Sequence, residues 1–357
     1  MYDLIVVGGG PAGLAATVYA ARKRLNTLLI TKDIGGQVNW TIGVENYLGY
    51  QFIEGHELIS KFQEQVDQFP IDQKIGSNIS QIKREGTNFE VISEDGEKFQ
   101  GKAILVATGK RPRRLNVPGE TALTGHGVTY CSVCDGPIFA GQRVAVIGGG
   151  NSALEASLDM VKIAEWVELV SITPLTGDSV LIEKLSEAKN VTTFLEYEVK
   201  EIIGEKLVEA IIIQSLNSKE TKRLNVTGVF IEIGLIPNSE SVKGLVALNK
   251  TGEIPIDCQS ETGVPGLFAA GDVTTVPEKQ IVVAAGEGAK AALRAHRYLQ
   301  RRSSLTVTPH PEPETLPVNI RAHRDVRNNS VACLSLSSCY EIQDRACGVR
   351  ALVQTYW

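Results

Sequence analysis

The stretch "DLIVVGGGPAGLAATVYAARK", residues 3–23, decides the fold of this 357-residue chain. An apolar β-branched run leads into three spaced glycines, Gly8, Gly10 and Gly13, and an Ala-rich segment follows. This order predicts a buried strand, a tight turn and a helix. Spaced glycines allow the turn, the close approach of a pyrophosphate and close packing of helix on strand, while the helix N-terminus attracts phosphate. The stretch therefore predicts a dinucleotide site.

A second copy of the plan, "QRVAVIGGGNSALEASLDMVK", occupies residues 142–162, with Gly148, Gly150 and Ala153 at the corresponding positions. One glycine pattern alone is weak evidence, but each copy here follows an apolar strand and opens a helix. Two copies predict two dinucleotide sites. The fold class is therefore α/β, with two Rossmann-like (three-layer ββα) nucleotide-binding domains.

The remaining apolar segments indicate that the second domain is inserted in the first. Further buried strands are predicted within 102–112, 228–238 and 266–275, and a helix over 284–299. The chain is expected to cross between the domains near 111–118 and 243–250, where Pro or Gly occurs. The predicted domains are residues 1–113 and 246–300 for the interrupted domain and 114–245 for the inserted one.

Residues 301–357 differ in composition from the rest. They contain seven Arg and no Lys, and four of the 14 prolines. Their opening part has no apolar periodicity, so we expect a disordered tail.

Composition excludes several classes of protein. A net charge of −5 without a basic stripe argues against nucleic-acid binding. The N-terminus lacks the features of a signal peptide, and no apolar run of about 18 residues follows, so neither a leader nor a membrane span is expected. We expect a cytoplasmic protein. In that reducing compartment a Cys-x-x-Cys pair is more often catalytic or metal-binding than structural.

Such a pair lies in "GVTYCSVCDGPIF", residues 127–139, at Cys131 and Cys134. It could bind zinc, remain an inert buried pair, or act as a redox dithiol. Zinc requires about four ligands. The other four cysteines form no second pair with this spacing, and the five histidines show no ligand spacing. We therefore expect no metal, and the two dinucleotide sites favour a redox dithiol.

These motifs, together with "VENY" (44–47), "VATG" (106–109) and "FAAGDVTTVPEKQI" (268–281), resemble those of the low-molecular-weight thioredoxin reductases. The chain looks nearer still to the flavoprotein subunit of alkyl hydroperoxide reductase without its N-terminal thioredoxin-like portion. The resemblance covers about residues 2–300. It implies a homodimer that binds FAD in the interrupted domain and NADH or NADPH in the inserted one.

The resemblance also implies binding residues. Those expected to contact FAD are Gly8, Gly10, Pro11, Ala12, Gly13, Asp33, Gly36, Gln37, Asn46, Thr108, Gly109, Gly271, Asp272, Gln280 and Ile281. Those expected to contact the nicotinamide dinucleotide are Gly148, Gly150, Asn151, Ser152 and Ala153.

In the implied mechanism, electrons pass from the nicotinamide through the flavin to Cys131–Cys134. Cys134 faces the flavin, and Cys131 attacks the disulfide of a thioredoxin- or glutaredoxin-like partner. Asp135 is the expected proton donor and acceptor, and its alternative role is to cap a helix. Because the pair lies just before Gly148, dithiol and nicotinamide must take turns at the flavin, which predicts a swing of the inserted domain.

The sequence departs from the resemblance in two places. The acidic residue expected after the second strand is offset, so that Lys32 precedes Asp33. No Arg occurs between Arg143 and Arg223, although a guanidinium normally holds the 2′-phosphate of NADPH. The relatives that favour NADH carry Glu at the position of Ser171. Without the guanidinium, NADH is expected to be preferred.

Other interpretations stay open. A reductase of the same fold that receives electrons from a ferredoxin would explain the missing specificity residues. A dithiol oxidase, whose flavin is reoxidised by O₂, is a second alternative, and a non-catalytic zinc protein is a third. The run "KRPRR" (110–114) is interpreted as a solvated crossing that could steer an acidic partner.

Overall fold

The first sheet is built around the strand that opens the chain. The computed structural model describes residues 1–41 and 43–306, and the rest of the predicted tail lies outside them. The strands of this sheet are β1 (Tyr2–Gly9), β2 (Thr27–Ile34), β3 (Asp72–Ile75), β4 (Ile79–Glu85), β5 (Asn88–Ser93), β6 (Lys98–Val106) and, far along the chain, β17 (Leu267–Ala269). Their order is β3-β2-β1-β6-β5-β4, and β17 also pairs with β6.

Strand β6 explains how one sheet accommodates both strand directions. One edge of β6 pairs with β1 in parallel. On its other edge, residues 98–101 pair antiparallel with β5, and residues 104–106 pair in parallel with β17. The sheet that the N-terminus begins is thus completed by residues 267–269. This pairing confirms that the second nucleotide-binding domain is inserted in the first.

The inserted part contains a five-stranded parallel sheet and a three-stranded antiparallel sheet. The five strands are β8 (Val128–Thr129), β9 (Arg143–Ile147), β10 (Trp166–Ser171), β11 (Val191–Leu195) and β15 (Gly228–Ile231), in the order β11-β10-β9-β15-β8. The antiparallel strands are β12 (Tyr197–Ile203), β13 (Ala210–Ser215) and β14 (Thr221–Leu224). The central strands β9 and β15 are almost fully buried, as expected for parallel strands covered on both faces.

Helices pack against the seven-stranded mixed sheet and the five-stranded parallel sheet. They are α1 (Pro11–Arg22), α2 (Gly55–Asp67), α3 (Glu120–Leu123), α4 (Ser132–Asp135), α5 (Asn151–Val161), α6 (Ser179–Ser186) and α7 (Ile281–Thr306). Helices α1 and α7 pack together through small residues, and a Cβ on Gly288 would lie 1.9 Å from the Ala12 carbonyl oxygen. None of the helices in these residues is long and apolar enough to span a membrane.

The part of the chain built on the first sheet is called the first lobe below, and the inserted part is called the inserted lobe. The two lobes are joined by a two-stranded ribbon of β7 (Lys110–Pro112) and β16 (Leu235–Pro237). The predicted strands 102–112 and 228–238 are therefore each interrupted, so that their ends form this ribbon. Val242 and Val246, which follow β16, are buried in the core of the first sheet. We therefore propose that the second crossing lies at 235–238, earlier than the predicted 243–250.

Helix α7 extends beyond both ends of the predicted helix 284–299. Its last residues include Arg302, whose guanidinium donates to the carbonyl oxygens of Thr87 and Lys102 at 2.8 and 3.2 Å. The same side chain donates to the Asn88 side-chain oxygen at 2.6 Å. Placing the start of the tail at residue 301 was wrong, because residues 301–306 continue the helix. The prediction for residues 307–357 lies outside the described residues.

Candidate active site

The first glycine loop joins β1 to α1 in a geometry that other residues could not adopt. Gly8 has φ +112°, and a Cβ there would lie 2.3 Å from the Ala107 carbonyl oxygen. A Cβ on Gly13 would lie 1.8 Å from the Gly8 carbonyl oxygen, so Gly13 allows helix and strand to touch. Gly10 differs, because a Cβ there would meet no atom within 4 Å. The backbone at Gly10 thus offers the close approach that a pyrophosphate requires.

A cleft of about 780 Å³ opens beside this loop. It is lined by most of the residues expected to contact FAD, namely Gly8, Gly10, Pro11, Ala12, Asp33, Gly36, Gln37, Thr108, Gly109, Gly271, Asp272, Gln280 and Ile281. Cys131, Cys134 and Asp135 line the same cleft. The fold therefore brings segments from both lobes to one space, and this space begins at a helix N-terminus.

Two of the expected contact residues do not line the cleft. Gly13 serves the packing of α1 on β1. Asn46 is exposed, and its side-chain amide donates to the Gln280 side-chain oxygen at 3.3 Å. Asn46 can thus orient Gln280, which does line the cleft.

Asp33, at the end of β2, holds the turn that follows it. Its carboxylate accepts a hydrogen bond from the Gly36 amide at 3.1 Å, and its side chain is exposed at the cleft. The acidic group is thus present beside the glycine loop although Lys32 precedes it.

A cluster of charged residues that the sequence did not predict borders the cleft. Glu253 accepts hydrogen bonds from Lys110 at 2.6 Å and lies 3.4 Å from Lys279. Although burial opposes it, the hydrogen bonds from Lys110 and Asn249 hold the pKa of Glu253 at about 2. Lys110 is largely buried at the base of the ribbon, so interpreting the whole run 110–114 as solvated was wrong for this residue.

Asp272 and Lys279 face each other across this cluster. Burial raises the pKa of Asp272, and Lys279 and Lys110 oppose that shift. Burial lowers the pKa of Lys279, and the charge of Lys110 adds to the effect. The ammonium of Lys279 also donates to the Thr274 carbonyl oxygen at 2.6 Å, so it is fixed at the cleft wall. In the sequence, the one sign of this cluster was that Asp272 and Lys279 both occur in the segment 268–281.

The cysteine pair is a disulfide at the start of the short helix α4. The Cα atoms of Cys131 and Cys134 are 5.3 Å apart. Cys131 is the N-cap residue, and its sulfur accepts a hydrogen bond from the Cys134 amide at 3.2 Å. An amide that donates to a sulfur stabilises its thiolate after reduction. The structure therefore brings the two cysteines together at the start of a helix.

Asp135 directly follows Cys134 in the chain and is buried. Its carboxylate accepts a short hydrogen bond from the hydroxyl of Thr129, and Thr129 in turn accepts from the Cys131 amide at 3.3 Å. The helix-capping alternative is not supported, because the Asp135 side chain makes no capping hydrogen bond to the turn that follows. Thr129 thus links the carboxyl group to the dithiol, and sequence reasoning missed it.

Tyr130 ties the dithiol segment to its surroundings. Its hydroxyl donates to Glu120 at 2.9 Å, and burial together with this bond raises the pKa of Tyr130 to about 12. The Trp40 ring, from the turn after the first lobe's second strand, lies with its centroid 6.5 Å from that of Tyr130. The guanidinium of Arg114 lies 6.0 Å from the same Trp40 ring. The first lobe thus contacts the residue that precedes Cys131.

The second glycine loop joins β9 to α5. A Cβ on Gly148 would lie 2.4 Å from the Glu232 carbonyl oxygen, whereas one on Gly150 would meet nothing within 4 Å. Ala153, where the first loop has Gly13, is buried in the core. Ser152 lines a smaller cavity of about 280 Å³. The loop thus repeats the features of the first one.

The segment after β10 folds back onto this second loop. The Thr176 amide donates to the Gly149 carbonyl oxygen at 2.7 Å. The Asn151 side chain accepts from the Asp178 amide at 2.7 Å and donates to the Asp178 carboxylate at 3.1 Å. Ser171, at the end of β10, is buried, and its hydroxyl accepts from the Thr173 amide at 3.3 Å. A carboxylate held by Asn151 therefore lies beside the second loop.

Among residues 1–41 and 43–306, no group of three or more His, Cys, Asp or Glu side chains is arranged to hold a metal ion. Cys258, the other cysteine in these residues, is exposed and unpaired.

Two glycine loops of this kind, the first in a cleft that it shares with a disulfide, define a nucleotide-dependent disulfide oxidoreductase. Residues 2–288 match the model of the pyridine nucleotide-disulphide oxidoreductase family, and the chain belongs to that family.

Its curated relatives include the F subunits of alkyl hydroperoxide reductases from several bacteria. The Pseudomonas aeruginosa protein is 44% identical over 308 residues, which cover 85% of this chain and 59% of the relative. The Escherichia coli K12 protein is 43% identical over 305 residues, which cover 84% of this chain and 58% of the relative. The chain thus spans about three fifths of the length of these relatives.

Solved structures of thioredoxin reductases are similar over their whole length. The Streptococcus pyogenes enzyme has a TM-score of 0.80 at 35% identity, covering 84% of this chain and 99% of its own. The Giardia duodenalis enzyme has a TM-score of 0.77 at 31% identity, with the same coverage. These neighbours confirm the two-domain α/β fold.

Proposed function

We propose that this chain is an FAD-dependent disulfide reductase that passes electrons from NADH or NADPH to the Cys131–Cys134 disulfide, and from there to a thioredoxin- or glutaredoxin-like protein. The observation that carries the proposal is that the disulfide lines the same cleft as the first glycine loop. Family membership and the two glycine loops support both cofactors.

The residues of the cleft fit FAD. The open backbone at Gly10 and the N-terminus of α1 would receive the pyrophosphate, and Asp33 would accept hydrogen bonds from a ribose. Polar contacts with the remainder of the FAD molecule would be made by Asp272, Gln37 and Gln280. When bound, FAD would supply a two-electron carrier between the nicotinamide and the disulfide.

The chain's own residues would manage the protons and the thiols. Reduction of a disulfide to a dithiol takes up two electrons and two protons. Asp135, whose carboxylate accepts a hydrogen bond from Thr129, would deliver or receive one of those protons. The amide of Cys134 would stabilise the Cys131 sulfur as a thiolate, the form that attacks the disulfide of a partner protein.

The second glycine loop, which does not line the large cleft, would bind the nicotinamide dinucleotide. Since both dithiol and nicotinamide must reach the flavin, we propose that the inserted lobe turns about the ribbon of β7 and β16. The homodimer and the cytoplasmic location remain part of this proposal. Sedimentation of the purified protein tests whether it is a homodimer. Microscopy of the tagged protein in its own host tests the cytoplasmic location.

The experiment that tests the function is anaerobic mixing of the FAD-loaded protein with each nicotinamide. Loss of the oxidised flavin absorbance within the mixing time, followed by stoichiometric reduction of an added thioredoxin, is the expected result. A flavin that stays oxidised with both nicotinamides would contradict the proposal.

One observation favours a second electron donor. The Asp178 carboxylate, fixed by Asn151 beside the second loop, makes that loop less suited to a phosphate-rich ligand. If neither nicotinamide reduces the flavin, reduction by a chemically reduced ferredoxin would support a ferredoxin-fed reductase of the same fold.

A further inference from the structure

Glu232 connects the dithiol to the second glycine loop. It directly follows β15, and its carbonyl oxygen closely approaches Gly148. Its side-chain carboxylate accepts a hydrogen bond from the Ser132 amide at 3.3 Å. Ser132 is the residue after Cys131, so this bond holds the peptide that joins the two. One side chain therefore reaches the segment that carries the redox sulfurs.

The surroundings of Glu232 make its charge sensitive to pH. Burial, and to a smaller extent the negative charge of Glu155 on α5, raise the pKa of Glu232 to about 7 against the opposing bonds from Ser132. Lys110, Tyr130 and Glu253 line the small cavity next to it. Lys110 is already paired with Glu253 at 2.6 Å, and the Tyr130 hydroxyl donates to Glu120.

We propose that Glu232 is a positioning residue for the dithiol, which holds the Cys131–Ser132 peptide through its carboxylate and releases it when protonated. The proposal rests on the proposed function only in that Cys131 and Cys134 must form a reducible pair. A carboxylate accepts a hydrogen bond more strongly than a neutral carboxyl group does. Its charge, one peptide away from Cys131, also disfavours a thiolate on that residue.

A specific pH dependence follows for the reduced protein. As the pH rises through neutrality, Glu232 gains its charge and from there on opposes the loss of the proton from Cys131. The rise in Cys131 reactivity is therefore spread over two inflections. Glu232→Gln keeps the shape and an acceptor oxygen but has no charge at any pH. This variant should show one inflection. At pH values above neutrality at which most of Cys131 is still protonated, its Cys131 should react roughly 3- to 10-fold faster, as expected for a thiol pKa lowered by about half to one unit.

The test is the rate of alkylation of Cys131 by iodoacetamide across the neutral pH range. The FAD-loaded full chain is reduced with dithiothreitol under argon, freed of reductant and pulsed with iodoacetamide. Peptide fragmentation in the mass spectrometer separates Cys131 from Cys134. Because dithiothreitol replaces the nicotinamide, the result does not depend on the electron donor. Absence of a Cys131–Cys134 disulfide before reduction would contradict the proposed function instead.

Two further variants make the outcome decisive. Glu187→Gln, an exposed glutamate after α6, should leave the profile unchanged. Glu155→Gln keeps Glu232 but removes its negative neighbour, so the lower inflection should persist and move to lower pH. Superimposable profiles for the wild type and Glu232→Gln would overturn the proposal, as would an equal change in Glu187→Gln. If Glu232→Gln does not fold, an unmoved inflection in Glu155→Gln overturns it.

Discussion

At the scale of single residues, the two sulfurs of the dithiol have different surroundings. The Cys131 sulfur accepts the Cys134 amide, and the Cys131 amide is held by Thr129. These bonds suit Cys131 to act as the nucleophile toward a partner. Under the proposed function, Cys134 would then be the sulfur that exchanges electrons with the flavin.

Replacing Cys134 by Ser should abolish reduction of protein disulfides and leave reduction of the flavin by the nicotinamide at the wild-type rate. The serine hydroxyl cannot close a disulfide with Cys131, so the path from flavin to partner is interrupted. Stopped-flow absorbance measures the first step and thioredoxin turnover the second. Cys258→Ser is the matched control and should retain both. Turnover by Cys134→Ser at the wild-type rate would show that the pair is not the carrier.

Two glycines of the first loop should affect protein stability and FAD binding differently. Gly10→Ala should fold with nearly unchanged stability, because a Cβ there meets nothing within 4 Å, but should bind FAD more weakly. Gly13→Ala should lose about 1–3 kcal/mol of stability, because its Cβ would meet the Gly8 carbonyl oxygen. Urea unfolding of the FAD-free proteins and flavin titration measure the two effects. Equal stability losses in both variants would contradict this assignment.

At the scale of secondary-structure elements, Glu253 joins the ribbon strand β7 to the first lobe through Lys110. Its folded-state pKa of about 2 lies below the ordinary value of 4.5. The pairing should therefore stabilise the fold fully above about pH 4.5 and lose effect as the pH falls toward 2. Urea unfolding of Glu253→Gln should show a stability deficit at pH 7 that shrinks over that range. A deficit that is constant with pH would indicate lost packing instead.

The end of helix α7 is held by Arg302, which predicts how far the chain can be shortened. Truncation after Arg302 should leave flavin content and melting temperature nearly unchanged. Truncation after Gln300 removes the bonds to Thr87, Asn88 and Lys102 and should cost about 1–2 kcal/mol. Differential scanning fluorimetry of the two truncated proteins makes the comparison. Loss of flavin from the longer one would show that the tail takes part in the site.

At the scale of the whole molecule, the choice of nicotinamide depends on how the segment after β10 folds onto the second glycine loop. The 2′-phosphate of NADPH would meet the fixed Asp178 carboxylate rather than a cation. The missing charge-assisted bond should cost about 1–3 kcal/mol, or roughly 5- to 150-fold in affinity. NADH should therefore reduce the flavin in preference to NADPH.

Stopped-flow rates over a range of concentrations of each nicotinamide test this preference. Asp178→Asn keeps the hydrogen bonds to Asn151 but removes the charge. It should therefore raise the affinity for NADPH several-fold and change the affinity for NADH little. A clear wild-type preference for NADPH would contradict the argument.

Much of the fold and of the site was predictable because the signals are local. The glycine loops were found from spacing, since backbone dihedral angles at Gly8 and close contacts at Gly13 and Gly148 demand glycine wherever the pattern occurs. The cysteine pair was found for the same reason, because the disulfide closes within one turn. Insertion of one domain in the other followed from the order of the strands along the chain.

The sequence by itself thus determined the two nucleotide-binding domains and the redox pair. Only the tertiary structure decided which distant groups meet: the Lys110 ammonium with Glu253, 143 residues away, and the Ser132 backbone amide with Glu232, 100 residues away. The tertiary structure also decided the bonds of Arg302 to Thr87 and Lys102, which lie in a part of helix α7 where the sequence predicted a tail. Such pairs leave no periodic trace along the chain, because the packing of distant strands, rather than local backbone preference, sets which side chains meet and which are removed from water.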